Sequence, residues 1–82
     1  MSTNYTQLKN ILLFYMDLKN FGVNLAKTRG AKNLSAYELS LRIGKAPNYI
    51  HLVENGKVNI SIKSLFAICE QLEIKPCVLL DN

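Results

Sequence analysis

Residues 35–56 carry start and stop signals so close together that only short helices fit between them. Ser35-Ala36-Tyr37-Glu38 is a capping box. The serine hydroxyl can accept from the amide of Glu38, whose carboxylate can reach back to the serine amide. Gly44 follows, a residue that readily takes the left-handed conformation of a tight helix exit. Pro47 suits the first position of a new helix, where a missing amide hydrogen costs nothing. Asn55-Gly56 is a second stop. The stretch therefore predicts two short helices joined by a tight turn, with the second spanning Pro47 to Asn55.

The rest of the chain has the same character. Its 82 residues and 9.3 kDa allow one domain. Apolar spacing is helical almost throughout, no run alternates with period two, and there is no internal repeat. Thr6 can cap a first helix in which Ile11, Phe14, Leu18, Phe21 and Leu25 recur every three or four residues. Gly22 and Gly30 weaken it, so it is either one bent helix or two with a break near Asn20–Gly22. Ser61 is the expected cap of a fourth helix, with Ile62, Leu65, Ile68, Cys69 and Leu72 on one face. A short last helix starts at Pro76 and presses Val78 and Leu79 or Leu80 onto the core. The expected fold class is all-α.

A hydrophobic content of 49% with 20% charge excludes a disordered tail or a low-complexity segment. The longest apolar run, Ile11 to Met16, is far short of a membrane span. The expectation is a soluble, cytoplasmic protein. Cys69 and Cys77 are too few for a disulfide framework, are not spaced as a metal knuckle, and sit among apolar residues as reduced, packed side chains. No nucleophile–base pair, phosphate-cradling glycine loop or metal-ligand cluster is present, so no enzyme activity, metal, cofactor or small-molecule ligand is expected.

Charge is distributed unevenly. Residues 27–63 hold seven basic residues (Lys27, Arg29, Lys32, Arg42, Lys45, Lys57, Lys63) against Glu38 and Glu54, a local +5 within a chain of net +4. Such a basic middle suits a polyanion, although chance clustering of solvated lysines gives the same count. The second helix of the pair sharpens the choice. At about 100° per residue, Asn48, His51, Leu52 and Asn55 share one face, while Ile50 and Val53 point the opposite way. A polar, uncharged face suits base edges, because Asn can bridge adenine N6 and N7 and an apolar side chain can meet a thymine methyl. An ordinary surface helix would also be polar outside. It would not account for Lys45 just before the helix and Lys57 just after it, both placed for phosphate.

From about Phe21 to Leu80 the sequence resembles the phage repressor/Cro-type helix-turn-helix family, the xenobiotic-response-element-like regulators. The resemblance is carried by Leu25, Arg29, Leu34-Ser35, Glu38-Leu39, Ile43-Gly44, Ile50, Val53-Glu54-Asn55-Gly56-Lys57, Ser61, Leu65, Ile68, Leu72 and Ile74, in the family's order and without insertion. It implies a five-helix lambda-repressor-like domain whose third helix enters the major groove, with Pro47, Asn48, His51 and Leu52 facing the bases. It also implies phosphate contacts from Ser35, Asn55, Lys57, Asn59, Ser61 and Lys63, and an ion pair between Arg29 and Glu54. Tyr49 packs beside the turn or touches the DNA backbone. The sequence departs from the family pattern at Ala36, where a glutamine is frequent, and at Ala46, where a serine or threonine usually caps the third helix.

The expected partition is a helical extension over 1–20 and the DNA-binding domain over 21–82. Residues 8–18 carry more apolar surface than one stripe can hide: Leu12, Tyr15 and Met16 lie off the stripe of Ile11, Phe14 and Leu18. They either form a two-fold dimer interface or fold back onto their own domain. The reading is a transcription regulator, a repressor, binding double-stranded DNA as a homodimer. The alternative is a protein-interaction or antitoxin-like module that acts through a protein partner.

Overall fold

A computed structural model of the chain describes residues 19–80, which contain five helices and no strand. They are α1 (19–31), α2 (Ala36–Arg42), α3 (Tyr49–Glu54), α4 (Ile62–Leu72) and α5 (Pro76–Leu80). Thr6 and the apolar residues at 8–18, with the expected dimer residues Leu12, Tyr15 and Met16, lie outside the described residues.

Helices α1 to α4 all end by one device, a left-handed residue followed by a backward hydrogen bond. The left-handed residues are Asn33 (φ 56°), Gly44 (φ 75°), Gly56 (φ 69°) and Glu73 (φ 57°). The next amide in each case donates five residues back: Leu34 to Arg29 (3.3 Å), Lys45 to Ser40 (2.9 Å), Lys57 to Leu52 (2.9 Å) and Ile74 to Cys69 (3.0 Å). Each bond satisfies a carbonyl that the helix end would leave open. The two glycine stops were legible in sequence. Asn33 and Glu73, being less obvious left-handed residues, were not.

One apolar cluster joins the elements, with Leu25, Leu39, Ile50, Val53, Ile68 and Leu79 fully buried. α1 runs unbroken through Asn20–Gly22, so of the two alternatives the described residues take the continuous helix. Gly22 is needed there for space. A Cβ at this position would meet the Glu54 carbonyl carbon at 2.8 Å and the Val53 carbonyl oxygen at 3.0 Å. The α1 backbone thus lies directly against the end of α3. Asn24 Nδ2 donates to the Leu79 carbonyl (3.1 Å) and ties α1 to α5.

Several expectations about faces are corrected. Ile62 is 68% exposed, because at the first position of α4 it lies off the buried stripe of Leu65, Ile68, Cys69 and Leu72. In α5 only Leu79 is buried, and Val78 and Leu80 face outward on a helix one turn long. Cys69 is buried but Cys77 is exposed, so only one thiol is packed. Burial, with a smaller contribution from nearby Cys77, pushes the Cys69 thiol above its ordinary pKa and keeps it neutral.

Candidate nucleic-acid interface

The α2–turn–α3 unit begins on Ser35, whose hydroxyl accepts from the Glu38 amide at 3.0 Å. Only this half of the expected capping box forms. The Glu38 carboxylate turns to Arg42 one turn ahead (2.9 Å), an exposed pair at the favourable four-residue spacing. α2 stops at Gly44, and the turn runs through Lys45, Ala46, Pro47 and Asn48.

α3 starts two residues later than the sequence suggested. Pro47 and Asn48 form a tight turn closed by the Tyr49 amide on the Ala46 carbonyl (3.0 Å), a three-residue bond rather than a first α-helical one. Asn48, at φ −96° and ψ 6°, occupies the N-cap position but makes no side-chain cap bond. The cap comes from α2 instead. Ser40 is fully buried, donates its hydroxyl proton to the Ala36 carbonyl (2.8 Å) and accepts the Ile50 amide at 2.9 Å. In the sequence Ser40 has only the spacing of an ordinary core position in a helix. The only signal was the lack of a capping side chain at Ala46.

The other end of α3 is held by α1. Arg29 makes a two-pronged contact with Glu54, Nε to Oε2 at 2.6 Å and Nη2 to Oε1 at 3.1 Å, and its Nη1 donates to the Leu34 carbonyl at 2.9 Å. The pair is largely shielded, with side-chain exposures of 20% and 10%. The hydrogen bond to Glu54 raises the Arg29 pKa above its ordinary value, burial opposes that, and the opposite charge adds to it. Gly22 and Arg29 are seven residues apart, two turns along one face of α1, so both grip the end of α3.

Held at both ends, α3 buries Ile50 and Val53 completely. Pro47, Asn48 and His51 are exposed and Leu52 is half-buried. Asn55 is exposed but bonded: its Nδ2 donates to the His51 carbonyl at 2.7 Å and lies 3.4 Å from His51 Nε2. It therefore closes the end of α3 rather than standing free. Lys45 Nζ sits 5.4 Å from the Tyr49 ring centroid, a cation–π distance, with Tyr49 half-buried beside the turn. Ser35, Lys57, Asn59, Ser61 and Lys63 are all exposed. Ser61 caps α4 by accepting from the Ser64 amide (3.0 Å) and gives its proton to Ser64 Oγ (3.1 Å).

The electrostatics follow from these pairs. Both acids of residues 27–63 are matched by arginines, Glu54 by Arg29 and Glu38 by Arg42. The local +5 is therefore carried by Lys27, Lys32, Lys45, Lys57 and Lys63, every one of them exposed. Among the described residues no group of His, Cys, Asp and Glu could hold a metal ion, and no helix is long and apolar enough to cross a membrane.

A helix-turn-helix family model matches residues 25–79, two-thirds of the chain and all of the α2–turn–α3 unit. The chain belongs to this family, of the xenobiotic-response-element-like type. Among solved structures, this helix-turn-helix protein is similar to the restriction-modification controller protein C.AhdI from Aeromonas hydrophila. The two are 35% identical, with a TM-score of 0.74, over 79% of this chain and 98% of that one. No curated protein matches at comparable stringency. The helix-turn-helix chain is a DNA-binding transcription regulator and not an enzyme.

Proposed function

We propose that the protein is a sequence-reading repressor that lays α3 in the major groove and acts by occupying its operator. The observation that carries this reading is the outward face of α3. It is polar at Asn48 and His51, and exposed Lys45 and Lys57 flank it where backbone phosphates would pass. Asn48 is the principal base reader, because its amide makes no cap bond and can offer a donor and an acceptor to adenine. His51 and Pro47 stand beside it, and half-buried Leu52 offers a methyl surface to thymine. Lys45, Lys57 and Lys63 anchor phosphates, with Ser35, Tyr49, Asn55, Asn59 and Ser61 as shorter-range contacts. Repression is the output that bare occupancy of a promoter achieves.

The protein works as a homodimer on a palindromic site, with its two α3 helices about 34 Å apart or a multiple of that. The apolar surplus of Leu12, Tyr15 and Met16 in the sequence supports a self-association surface. Similarity to a restriction-modification controller protein is consistent with a regulatory role.

Selection from a pool of random duplexes, followed by salt titration, tests the reading. The expected result is an enriched half-site repeated with two-fold symmetry, and affinity that falls steeply with salt as lysine–phosphate contacts release counterions. No enriched sequence and a flat salt response would instead favour a module that acts through a protein partner.

A further inference from the structure

We propose that Ser40, a residue of α2, positions the reading helix by capping α3 across the turn. The inference rests on α3 being the helix that reads DNA.

α3 has six residues, so its first amides are a large share of its backbone donors, and a helix start leaves such amides without internal partners. The local candidates fail. Ala46 has no side-chain acceptor, Pro47 has none either, and Asn48 makes no cap bond. The Tyr49 amide is taken by the Ala46 carbonyl. The Ile50 amide, on a residue with no exposed surface, depends on Ser40 Oγ at 2.9 Å. Water cannot substitute at a fully buried position without the helix moving.

Ser40 is fixed in turn. Its proton is committed to the Ala36 carbonyl at 2.8 Å, which aims an oxygen lone pair at Ile50. Its own carbonyl accepts the Lys45 amide at 2.9 Å. One buried residue thereby bonds to the start of α2, the turn and the start of α3. Asn48 lies two residues before Ile50, and His51 and Leu52 immediately after it, so the Ile50 backbone is the pivot of the reading face. Without the hydroxyl, this amide satisfies itself only by shifting toward water, and the reading side chains shift with it. Lysines on flexible stems still reach phosphates after such a shift, whereas contacts to base edges demand fixed geometry. Ser40 should therefore govern the preference for operator over unrelated DNA more than affinity for DNA as such.

The test compares the parent protein, Ser40→Ala, Ser40→Thr and, as a stability control, Ile68→Val, which removes one core methylene from α4. Binding to the duplex selected by the parent and to a scrambled duplex is measured where all variants are folded, with amide hydrogen exchange at Ile50. Ser40→Ala is expected to lower the specific-to-scrambled ratio about tenfold, or about 1.4 kcal/mol. Scrambled-duplex affinity and salt slope should stay at parental values while Ile50 exchange speeds up. Ser40→Thr, which keeps the hydroxyl, should recover most of the ratio, and Ile68→Val should leave it intact. An unchanged ratio in Ser40→Ala, or parallel loss of both affinities, would overturn the proposal. If Ser40→Thr does not fold, the Ser40→Ala ratio and the Ile50 exchange rate still decide. If the parent itself enriches no sequence, the reading of α3 has failed, and that is seen before any variant is made.

Discussion

Helices α2 and α3 are seven and six residues long and pack against each other, yet they are held in opposite ways. α2 starts on its own neighbour, Ser35, and its exposed ion pair, Glu38 with Arg42, lies within one turn of itself. α3 has no local cap at its start. Its first turn hangs on Ser40 of α2, and its last residue is gripped by Gly22 and Arg29 of α1. A helix anchored by its neighbours does not need its own outward side chains for stability. Asn48 and His51 are left to other uses, which suits the base-reading role proposed for them. The contrast separates a helix defined by local sequence from one defined by the core around it.

The strongest way to break the contrast is to release the far end of α3. Arg29→Ala leaves the Glu54 carboxylate, 10% exposed, without its partner and should cost about 3 kcal/mol, the lower part of the range for a shielded pair. A urea midpoint equal to that of the parent would remove the anchor from the account. Because Arg29 is raised above its ordinary pKa, its contribution is complete at neutral pH and is lost only as pH climbs through that raised value. Parental stability should therefore show no step from this pair between pH 6 and pH 9, taken as roughly the neutral range.

Gly22→Ala comes next. The added methyl collides with the Glu54 carbonyl, which is backbone and cannot rotate away, so α1 and α3 must separate. Overpacking of this kind costs about 2 kcal/mol. The control is Gly30→Ala, where a Cβ meets nothing within 4 Å and helix propensity should make the change neutral or favourable. Equal melting temperatures for the two variants would contradict the close approach.

The smallest effect falls on the locally built helix. Ser35→Ala removes one exposed cap and should cost about 1 kcal/mol, with no change in which sequences are preferred. If it altered base preference as strongly as a change in α3, the division between a local α2 and an imposed α3 would be wrong.

The same division explains what the sequence revealed. Ser35, Ser61, Gly44 and Gly56 act within a few residues of themselves, so their caps and stops were legible from spacing. The buried pair Ile50 and Val53 followed from helical periodicity. The start of α3 was misplaced by two residues, because Pro47 fits a first helical position locally while the Ala46–Tyr49 bond winds the chain more tightly. Ser40 was invisible, since a hydroxyl that accepts from an amide ten residues away leaves no periodic mark. Gly22 looked like a weakness in α1 until the α3 backbone was seen against it. Among the expected contact residues, exposure at Pro47, Asn48, His51 and the lysines comes from chain geometry. Contacts to DNA would depend on the groove of the duplex as well as on this chain.

The most direct test of the central claim sets Asn48→Ala beside Lys57→Ala on a panel of operators carrying every single-base substitution. Asn48→Ala should lose about 1–3 kcal/mol of discrimination at one base pair and keep the parental salt slope. Lys57→Ala should weaken every duplex alike and lower the salt slope by about one unit. Identical profiles for the two variants across the panel would contradict the assignment of α3 as the reading helix.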